Sequence, residues 1–382
     1  KLFQAMAPST LFLVLSMWFS GILNVNDKFF GSAMSTLINN GVFIIIALLL
    51  YPLFAVFAYA WGAVIGAFFM FIMLVVFIKK GRYFHFRFRI KIDELEYVRR
   101  MLKIGFPILL GGATLQFYFL IHRMFASQLN DGVVAGLNYA SKLVQMPQAI
   151  LMTAVTMIIY PLLAKKVGAN QYHDVRQLFE KGIKNLLLVL VPLSVFIYYY
   201  AGDVVKLVFE YGSFTAESTD MTARLLKVFV MGMFAHAANL FVTRFFYAME
   251  KSLLPVVTGV LAVFGVNVVL ILTFLPHYGA AAIAWATTVS AYVQLISLLF
   301  ASHFVLKLKV KKARYLLKFA VFISTLLLGV YGWSTMLTFE LAIVNVLVGF
   351  GVFSFIFLML VYVLRLDEGN LLGRFIRVRR KT

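Results

Sequence analysis

The sequence predicts an all-α polytopic membrane protein with about eleven transmembrane helices. Hydrophobic residues make up 63% of its 382 residues and charged residues only 13%, whereas soluble proteins are about 45–50% apolar and about 25% charged. The apolar residues form long continuous runs, unlike the alternating ten-residue segments of a membrane β-barrel. A soluble fold has too little interior to bury this surplus. The composition therefore excludes a cytosolic enzyme, a nucleic-acid reader and a secreted domain.

Eleven apolar runs are long enough to cross a bilayer. A spanning helix needs roughly 20 residues, because the hydrocarbon core is about 30 Å thick and each residue rises 1.5 Å. In chain order, the predicted spans are Gln4–Ile22, Ser35–Leu53, Phe57–Ile78, Leu102–Ser127, Val133–Tyr160, Asn185–Tyr200, Met221–Tyr247, Ser252–Leu275, Ala280–Phe304, Ala313–Thr335 and Leu341–Leu364.

The basic residues distinguish the two sides of the membrane. Lys and Arg number nine in Lys79–Lys103, five in Lys165–Lys184, six in Lys307–Lys318 and six from Arg365 onward, whereas the longest alternate connection, Ala201–Asp220, is acidic. Cytoplasmic loops are the ones rich in Lys and Arg, so the C-terminus is predicted to be cytoplasmic. The net charge of +20 is then explained mainly by the Lys and Arg residues of the cytoplasmic connections. Binding of nucleic acid by the basic tail is the minor alternative.

Two of these basic connections also carry many apolar side chains. Residues 84–103 and 161–184 mix Phe, Tyr, Leu and Val with Lys and Arg. This pattern favours amphipathic helices that lie on anionic lipid at the membrane surface. Plain solvated loops are the alternative.

An internal repeat relates two parts of the chain at an offset of about 223 residues, with Asp27–Lys28 aligned to Glu250–Lys251. Each copy contains a span, a short inner turn, a second span, a short outer turn and a third span rich in Ala and Gly. Both copies begin on the same side, so the repeat is parallel, as in some transporters. Three spans within Leu102–Tyr200 precede the second copy and none precedes the first. We therefore expect three further helices before Lys1.

The predicted membrane interior lacks the residues that common membrane enzymes use. All fifteen acidic residues lie in connections or at span ends, whereas proton-coupled antiporters and intramembrane hydrolases need a buried carboxylate. No HExxH, GxSxG or phosphate-binding Gly-Lys-Ser motif occurs. The chain also has no Cys, which excludes a thiol nucleophile and a Cys-ligated metal. We expect no catalytic residues, no metal and no cofactor.

Lys142 is the candidate binding cation. It lies nine residues into a predicted span, or about 14 Å deep, where a charge costs at least about 2.5–3.5 kcal/mol unless it faces water or a partner. Ser141, Gln145 and Pro147 make the same helix partly polar and kinked. A cavity with cations and no acids favours an anionic cargo such as a pyrophosphate. Bonding of Lys142 to neighbouring backbone carbonyls is the alternative.

Other polar residues within the spans have two interpretations each. Arg123 lies near a span end and is predicted either to line the cavity or to anchor at the interface, and Arg244 is predicted to be an interfacial anchor. His122 is a candidate ion ligand or a packed neutral imidazole. Asn267 and Thr287 lie at mid-span, where such groups usually hydrogen-bond between helices.

The segment GVVAGLNYASKLVQMPQAILMTAVTMIIYPLLAKK (132–166) resembles the MurJ/MviN family of lipid II flippases, as do RFFYAMEKSLLP and FGVNVVLILTFLPHYGAAAIAWATTVSAYVQ. The family belongs to the multidrug/oligosaccharidyl-lipid/polysaccharide (MOP) exporter superfamily, and the resemblance implies its two-lobe transporter fold without the first three helices. The implied domains are a partial N-terminal lobe of three helices (1–80), a cytoplasmic amphipathic linker (81–103), a C-terminal lobe of six helices (104–306), two extra helices that form a lipid-tail groove (313–364) and a basic cytoplasmic tail (365–382).

The resemblance also implies residue roles. Ser141 stands where the family has an acidic residue, Lys142 where it has an essential Arg, and Gln145 where some members have a second acid. His122 stands where the family has an Asp that serves as a cation ligand, with Asn267 and Thr287 as counterparts of its partners. The loss of that carboxylate argues against a sodium site here.

These observations together predict a transporter, not an enzyme, that flips an undecaprenyl-pyrophosphate-linked peptidoglycan precursor (lipid II) to the outer leaflet by alternating access. It would lie in the bacterial plasma membrane with a cytoplasmic C-terminus. Expected partners are this or a related lipid-linked saccharide, membrane lipids and cell-wall synthesis proteins, with no nucleic acid. The alternatives are an exporter of another lipid-linked polysaccharide unit, a MATE-like drug exporter, and a scaffold that binds precursors without transporting them.

Overall fold

The computed structural model describes residues 1–81, 92–129, 132–306, 313–336 and 339–364. Across these ranges the chain is helical, and it divides into two compact units, Lys1–Leu95 and Glu96–Thr382. The helices are α1 (Leu2–Val25), α2 (Phe29–Phe54), α3 (Phe57–Gly81), α4 (Ile92–Ala126), α5 (Val133–Gly168), α6 (Tyr172–Tyr199), α7 (Ala201–Phe209), α8 (Ala216–Met231), α9 (Met233–Ala248), α10 (Leu253–Val260), a π-helical segment (Leu261–Asn267), α11 (Val268–Tyr278), α12 (Ala280–Leu306), α13 (Ala313–Met336) and α14 (Ala342–Leu364).

The prediction of an all-helical membrane protein is confirmed. Within the described ranges, eight helices are long and apolar enough to cross a membrane, and the bent pair α8–α9 makes nine. Nine of the eleven predicted spans coincide with one helix each, Met221–Tyr247 with the pair α8–α9, and Ser252–Leu275 with α10, the π-helical segment and α11. The two predicted spans outside the nine candidate crossings are α4 and α5, which are 35 and 36 residues long.

The predicted surface helix over 161–184 is wrong. Helix α5 continues to Gly168 and α6 begins at Tyr172, so the connection consists of two helix ends and a tight turn. The Lys166 ammonium stabilises this turn. It forms an ion pair with Asp174 at 2.6 Å and donates a hydrogen bond to the Gln171 amide oxygen at 2.7 Å. The mixed apolar and basic pattern therefore belongs to the end of α5 and the beginning of α6 and not to one separate helix.

The other predicted surface helix, 84–103, lies partly outside the described residues. Its described part, from Ile92, is the beginning of α4 and is continuous with the following predicted span. The basic tail predicted for 365–382 lies entirely outside the described ranges.

The inner turns of the predicted repeat have the same backbone geometry. Asp27 and Glu250 both adopt φ 58°, a left-handed conformation that is uncommon for residues other than Gly. In each turn the N–H of the next lysine donates to the carbonyl five residues earlier, at 2.9 Å and 2.8 Å. This is the bond of a Schellman helix end. The two aligned turns therefore share one geometry, which the α5–α6 turn at Asn170 (φ 55°) also adopts.

The outer turns correspond as well. Ala55 has φ 46° and ψ −123°, and Gly279 has φ 52° and ψ −132°. Each follows a proline by three residues (Pro52 and Pro276), and its N–H donates to the carbonyl four residues earlier at 2.9 Å. A glycine adopts this conformation without strain, whereas an alanine does not. One copy of the repeat therefore carries a strained residue where the other carries glycine.

Replacement of Ala55 by Gly should stabilise the protein. Relief of an unfavourable backbone conformation is worth about 1–3 kcal/mol, which exceeds the entropic cost of about 0.4–1 kcal/mol for introducing glycine. We expect Gly279→Ala to destabilise it, although a Cβ there would meet nothing within 4 Å. Thermal unfolding of the purified full-length variants in detergent measures both effects. Shifts of the same sign in the two variants would contradict the proposed strain.

The predicted single span Met221–Tyr247 is bent by 44° between α8 and α9. At the break, a Cβ on Gly232 would lie 3.1 Å from Thr288 Oγ1 and 3.3 Å from Thr288 Cα, so α12 approaches closely. Side chains of other helices donate hydrogen bonds to carbonyls on both sides of the break, where a bilayer interior offers no other donors. The donors and acceptors are Thr288 Oγ1 to Val228 O (3.0 Å), Tyr292 Oη to Met231 O (2.8 Å) and Gln148 Nε2 to Met233 O (2.8 Å).

Candidate functional site

A cavity of about 780 Å³ lies inside the second unit. Its walls come from α4, α5, α8, α9, α10, the π-helical segment and α12. Along α5 the lining residues extend from Val134 to Tyr160, which are 26 residues apart, or about 39 Å at 1.5 Å per residue. This length exceeds the roughly 30 Å hydrocarbon core, so the cavity is long enough to extend across a membrane.

The lining is basic and polar at intervals along mostly apolar walls. Two arginines, Arg123 and Arg244, and two histidines, His122 and His236, are among the lining residues, and none of the lining residues is Asp or Glu. Arg123 lies in the last turn of α4, beside the α4–α5 connection. Arg244 lies near the end of α9, at the opposite end of the bundle. A cavity with a guanidinium towards each end and no lining carboxylate is suited to an anion.

Three of the four predicted substrate-binding residues line this cavity. Arg123, Ser141 and Gln145 all contribute to its wall, and Gln145 Nε2 donates to Ser141 Oγ at 2.6 Å. Lys142 does not line it: the residue is exposed on the neighbouring face of α5. Among the described residues no carboxylate lies within 4 Å of its ammonium. The Lys142 charge is therefore available to a ligand beside the polar stripe of α5.

Arg244 is a cavity residue, contrary to its prediction as an interfacial anchor. The side chain is half-buried, lines the cavity and donates from Nη1 to the hydroxyl of Thr156 on α5. Its depth along the chain was evident from the sequence, but the face of the helix that carries it was not. The face of α9 that carries Arg244 depends on the bend at Gly232. No sequence motif predicts this bend.

Helices α9 and α12 also present polar side chains to the cavity that the sequence did not predict as site residues. Asn239 is buried and donates to the Ala291 carbonyl at 2.9 Å, and its amide lies 3.4 Å from the Gln294 side-chain oxygen. His236 lines the cavity one turn earlier. Their positions at i and i+3 on an apolar helix were the available signal.

The structure brings the three predicted ion-site residues together. His122 Nε2 lies 3.1 Å from Asn267 Oδ1 and 3.5 Å from Thr287 Oγ1. Asn267 ends the π-helical segment, which turns its amide towards α4, and such segments are frequent at functional sites. The Tyr118 ring packs against the imidazole at 4.2 Å between centroids.

This cluster does not fit the sodium ion that the family resemblance implies at His122. Hard cations such as sodium prefer oxygen ligands, carboxylates above all, and an imidazole nitrogen replaces the carboxylate here. Because an amide oxygen only accepts, the imidazole N–H donates to Asn267 Oδ1, so the ring presents a donor and not a ligand atom to this oxygen. No group of three His, Cys, Asp or Glu side chains that could hold a metal occurs among the described residues. We interpret the cluster as a hydrogen-bonded link between α4, the π-helical segment and α12.

Comparisons with known sequences identify a family. A family model described as lipid II flippase MurJ matches residues 1–360. A probable lipid II flippase MurJ of Buchnera aphidicola (subspecies Acyrthosiphon pisum) is 28% identical over 262 residues, covering 67% of this chain and 50% of its own length. The lipid II flippase MurJ of Burkholderia cenocepacia is 26% identical over 282 residues, covering 72% and 55%. The chain thus spans about half the length of these curated relatives.

Solved structures show the same fold. A lipid II flippase MurJ in an inward closed conformation superposes with a TM-score of 0.77 at 21% identity, covering 95% of this chain and 73% of that one. An outward-facing multidrug resistance MATE transporter of the MOP superfamily superposes with a TM-score of 0.63 at 13% identity, covering 80% and 69%. At these identities the likeness concerns the fold alone, and it confirms the predicted MOP-type architecture.

Proposed function

This chain belongs to the MurJ family of lipid II flippases, and we propose on that premise that the full protein flips an undecaprenyl-pyrophosphate-linked peptidoglycan precursor across the bacterial plasma membrane. Such a protein is a transporter and not an enzyme. The observation that carries the proposal is the membrane-deep cavity with Arg123 and Arg244 towards its two ends and no carboxylate among its lining residues. Membrane lipids and cell-wall synthesis proteins are the further partners we propose.

The binding chemistry follows from the charges. A pyrophosphate group pairs with guanidinium and ammonium groups through charge-assisted hydrogen bonds, and arginine can do so with two parallel bonds. We propose that Lys142 and Arg123 bind the pyrophosphate, with Ser141 and Gln145 hydrogen-bonding to its oxygens. Arg244 would bind the same group at the other end of the cavity. Alternating access would present these cations to each leaflet in turn, and a membrane potential acts on moving charge with about 2.3 kcal/mol per charge per 100 mV.

The domain arrangement proposed for this function is that of the two-lobe fold. Residues 1–80 would be part of the N-terminal lobe, 81–103 the linker and 104–306 the C-terminal lobe. Residues 313–364 would form the groove for the lipid tail, and 365–382 a cytoplasmic tail. In the second unit, α13 packs on α6 through the apolar cluster of Phe322 and Leu188, with α14 joining through Phe357.

The cavity argues against the MATE-like alternative. A drug exporter that accepts organic cations needs carboxylates or an aromatic cage to bind them. The cavity lining has five aromatic side chains (Tyr118, Phe119, Tyr160, Phe229 and Tyr247) but no carboxylate, and its two arginines would repel a cation. The pyrophosphate of another lipid-linked polysaccharide unit would pair with the same cations, so the test must compare the transport of two cargoes.

The experiment is a flipping assay with the full-length protein in vesicles. Fluorescent lipid II on one leaflet should become accessible on the other only in vesicles that contain the protein, and a polyprenyl-pyrophosphate with a different saccharide should move more slowly. Binding of lipid II without its translocation would contradict flipping and support the scaffold alternative. Equal transport of both cargoes would contradict specificity for the peptidoglycan precursor.

The proposed orientation places the C-terminus in the cytoplasm. In this Cys-free chain, a cysteine at exposed Gln128 in the α4–α5 connection should react in intact cells with an impermeant maleimide. A cysteine at exposed Gly168 in the α5–α6 turn should react only after the membrane is opened. The reverse labelling pattern would overturn the orientation.

A further inference from the structure

A second, smaller cavity lies on another side of the second unit. It measures about 320 Å³ and shares no lining residue with the first cavity. Its walls come from α6, α8, α9, α12 and α13. Its lining is almost entirely apolar and aromatic, and it includes Val191, Ser194, Tyr198, Met231, Tyr292 and Leu327. We call it the α6–α13 crevice.

The bend between α8 and α9 creates this crevice. Met231 and Phe234 line it on either side of Gly232, and the Tyr292 hydroxyl donates to the Met231 carbonyl across the break. The side chains of Met231 and Tyr292 remain 39% and 37% exposed, so an elongated molecule outside the protein can reach the apolar wall.

A lysine without an acidic partner lies at one end of the crevice. Lys227 is half-buried on α8, one turn before the crevice residues Val230 and Met231, and its Nζ lies 5.7 Å from the centroid of the Tyr198 ring. Among the described residues no carboxylate lies within 4 Å of that ammonium. By contrast, Arg224, one turn earlier, is exposed and pairs with Asp220 at 2.9 Å.

The level of Lys227 matches that of a lipid headgroup. Tyr198 is one residue from the end of α6 and is followed by two further tyrosines. Tyrosines concentrate where the hydrocarbon meets the headgroups. From this level the crevice continues to Val191, seven residues deeper along α6, or about 10 Å.

We propose that the α6–α13 crevice binds an anionic phospholipid, with its phosphate on Lys227 and one acyl chain along the apolar wall. The unpartnered half-buried cation selects a negative headgroup, and the apolar wall below it selects a chain. A small free anion would contact only Lys227 and not the apolar wall of the crevice. A neutral lipid would contact the wall but leave the Lys227 charge unpaired. The crevice shares no lining residue with the cavity proposed for the pyrophosphate, and it touches the proposed lipid-tail groove only at Leu327 of α13.

The test measures lipid retention by the full-length protein. Native mass spectrometry should show phosphatidylglycerol retained in preference to phosphatidylcholine, both supplied in mixed detergent micelles. We expect Lys227→Gln to bind phosphatidylglycerol about fivefold more weakly, since that is the usual contribution of one basic residue at an anionic surface. Lys227→Arg should keep the preference, because it retains the charge. Arg224→Gln is the matched control one turn away, and it should also keep the preference.

A second variant tests the acyl chain separately from the charge. Ser194→Phe should fill the crevice and reduce retention of both lipids while Lys227 is unchanged. Equal retention of phosphatidylglycerol by wild type and Lys227→Gln would overturn the proposal. So would an equal loss in Arg224→Gln, which would indicate diffuse attraction. Stabilisation by inorganic phosphate to the same extent as by phosphatidylglycerol would also overturn it, because the crevice would then contribute nothing.

Discussion

Lys142→Ala in the full-length protein should abolish complementation of a flippase-depleted cell while membrane insertion stays intact. Lys142 is exposed beside the polar stripe of α5, and no described carboxylate neutralises it. A hydrogen bond to a charged group contributes about 1.5–3 kcal/mol, so binding of the pyrophosphate should weaken about 10-fold or more. Growth of the depleted strain and the amount of protein in the membrane are the two measurements.

The accompanying substitutions separate charge from polarity and from folding. Lys142→Arg should be tolerated, because charge and reach survive, and Lys142→Gln should fail as Ala does. A purely structural lysine would instead lower protein abundance and activity together. Normal growth supported by a fully expressed Lys142→Ala protein would end the case for this residue.

Arg244→Ala should slow flipping strongly, in contrast to what its place near a helix end suggests. The guanidinium lines the cavity at the end opposite Arg123, and Thr156 on α5 orients it. We expect Arg244→Lys to recover part of the activity, because the charge remains but the bidentate geometry is lost. The rate of lipid II translocation in vesicles measures the effect.

Two controls distinguish ligand binding by Arg244 from a structural role. Thr156→Val removes the hydrogen bond to the guanidinium but keeps the charge, so it should cost less activity than Arg244→Ala. Arg224→Ala removes an exposed, paired cation outside the cavity lining and should leave flipping nearly unchanged. If Thr156→Val is as inactive as Arg244→Ala, the hydrogen bond between α5 and α9 is what matters, and the binding role is wrong.

Part of the candidate site was evident before the structure. Ser141 and Gln145 are four residues apart, so a helix places them on one face, and the structure joins them by a hydrogen bond on the cavity wall. His122, Asn267 and Thr287 were grouped by family resemblance, and they meet within 3.5 Å. Arg244 was assigned to the interface, because a sequence gives depth along a helix but not the neighbour that each face meets.

The membrane class, the helices and the aligned inner and outer turns are all predictable from the residues alone. These properties depend on residues that are close together in the chain. An apolar run of about 20 residues is long enough to span the hydrocarbon core. A helix ends where the backbone becomes left-handed, as at Asp27 and Glu250. The bend at Gly232, the π-helical turn at Asn267 and the two cavities became evident only from the packing of the helices. At the bend, side chains of distant helices (Thr288, Tyr292 and Gln148) donate to the carbonyls beside the break. Bilayer lipid has no hydrogen-bond donors that could replace these side chains. A helix break can therefore exist only where neighbouring helices provide the donors, and the local sequence does not show which helices will be neighbours.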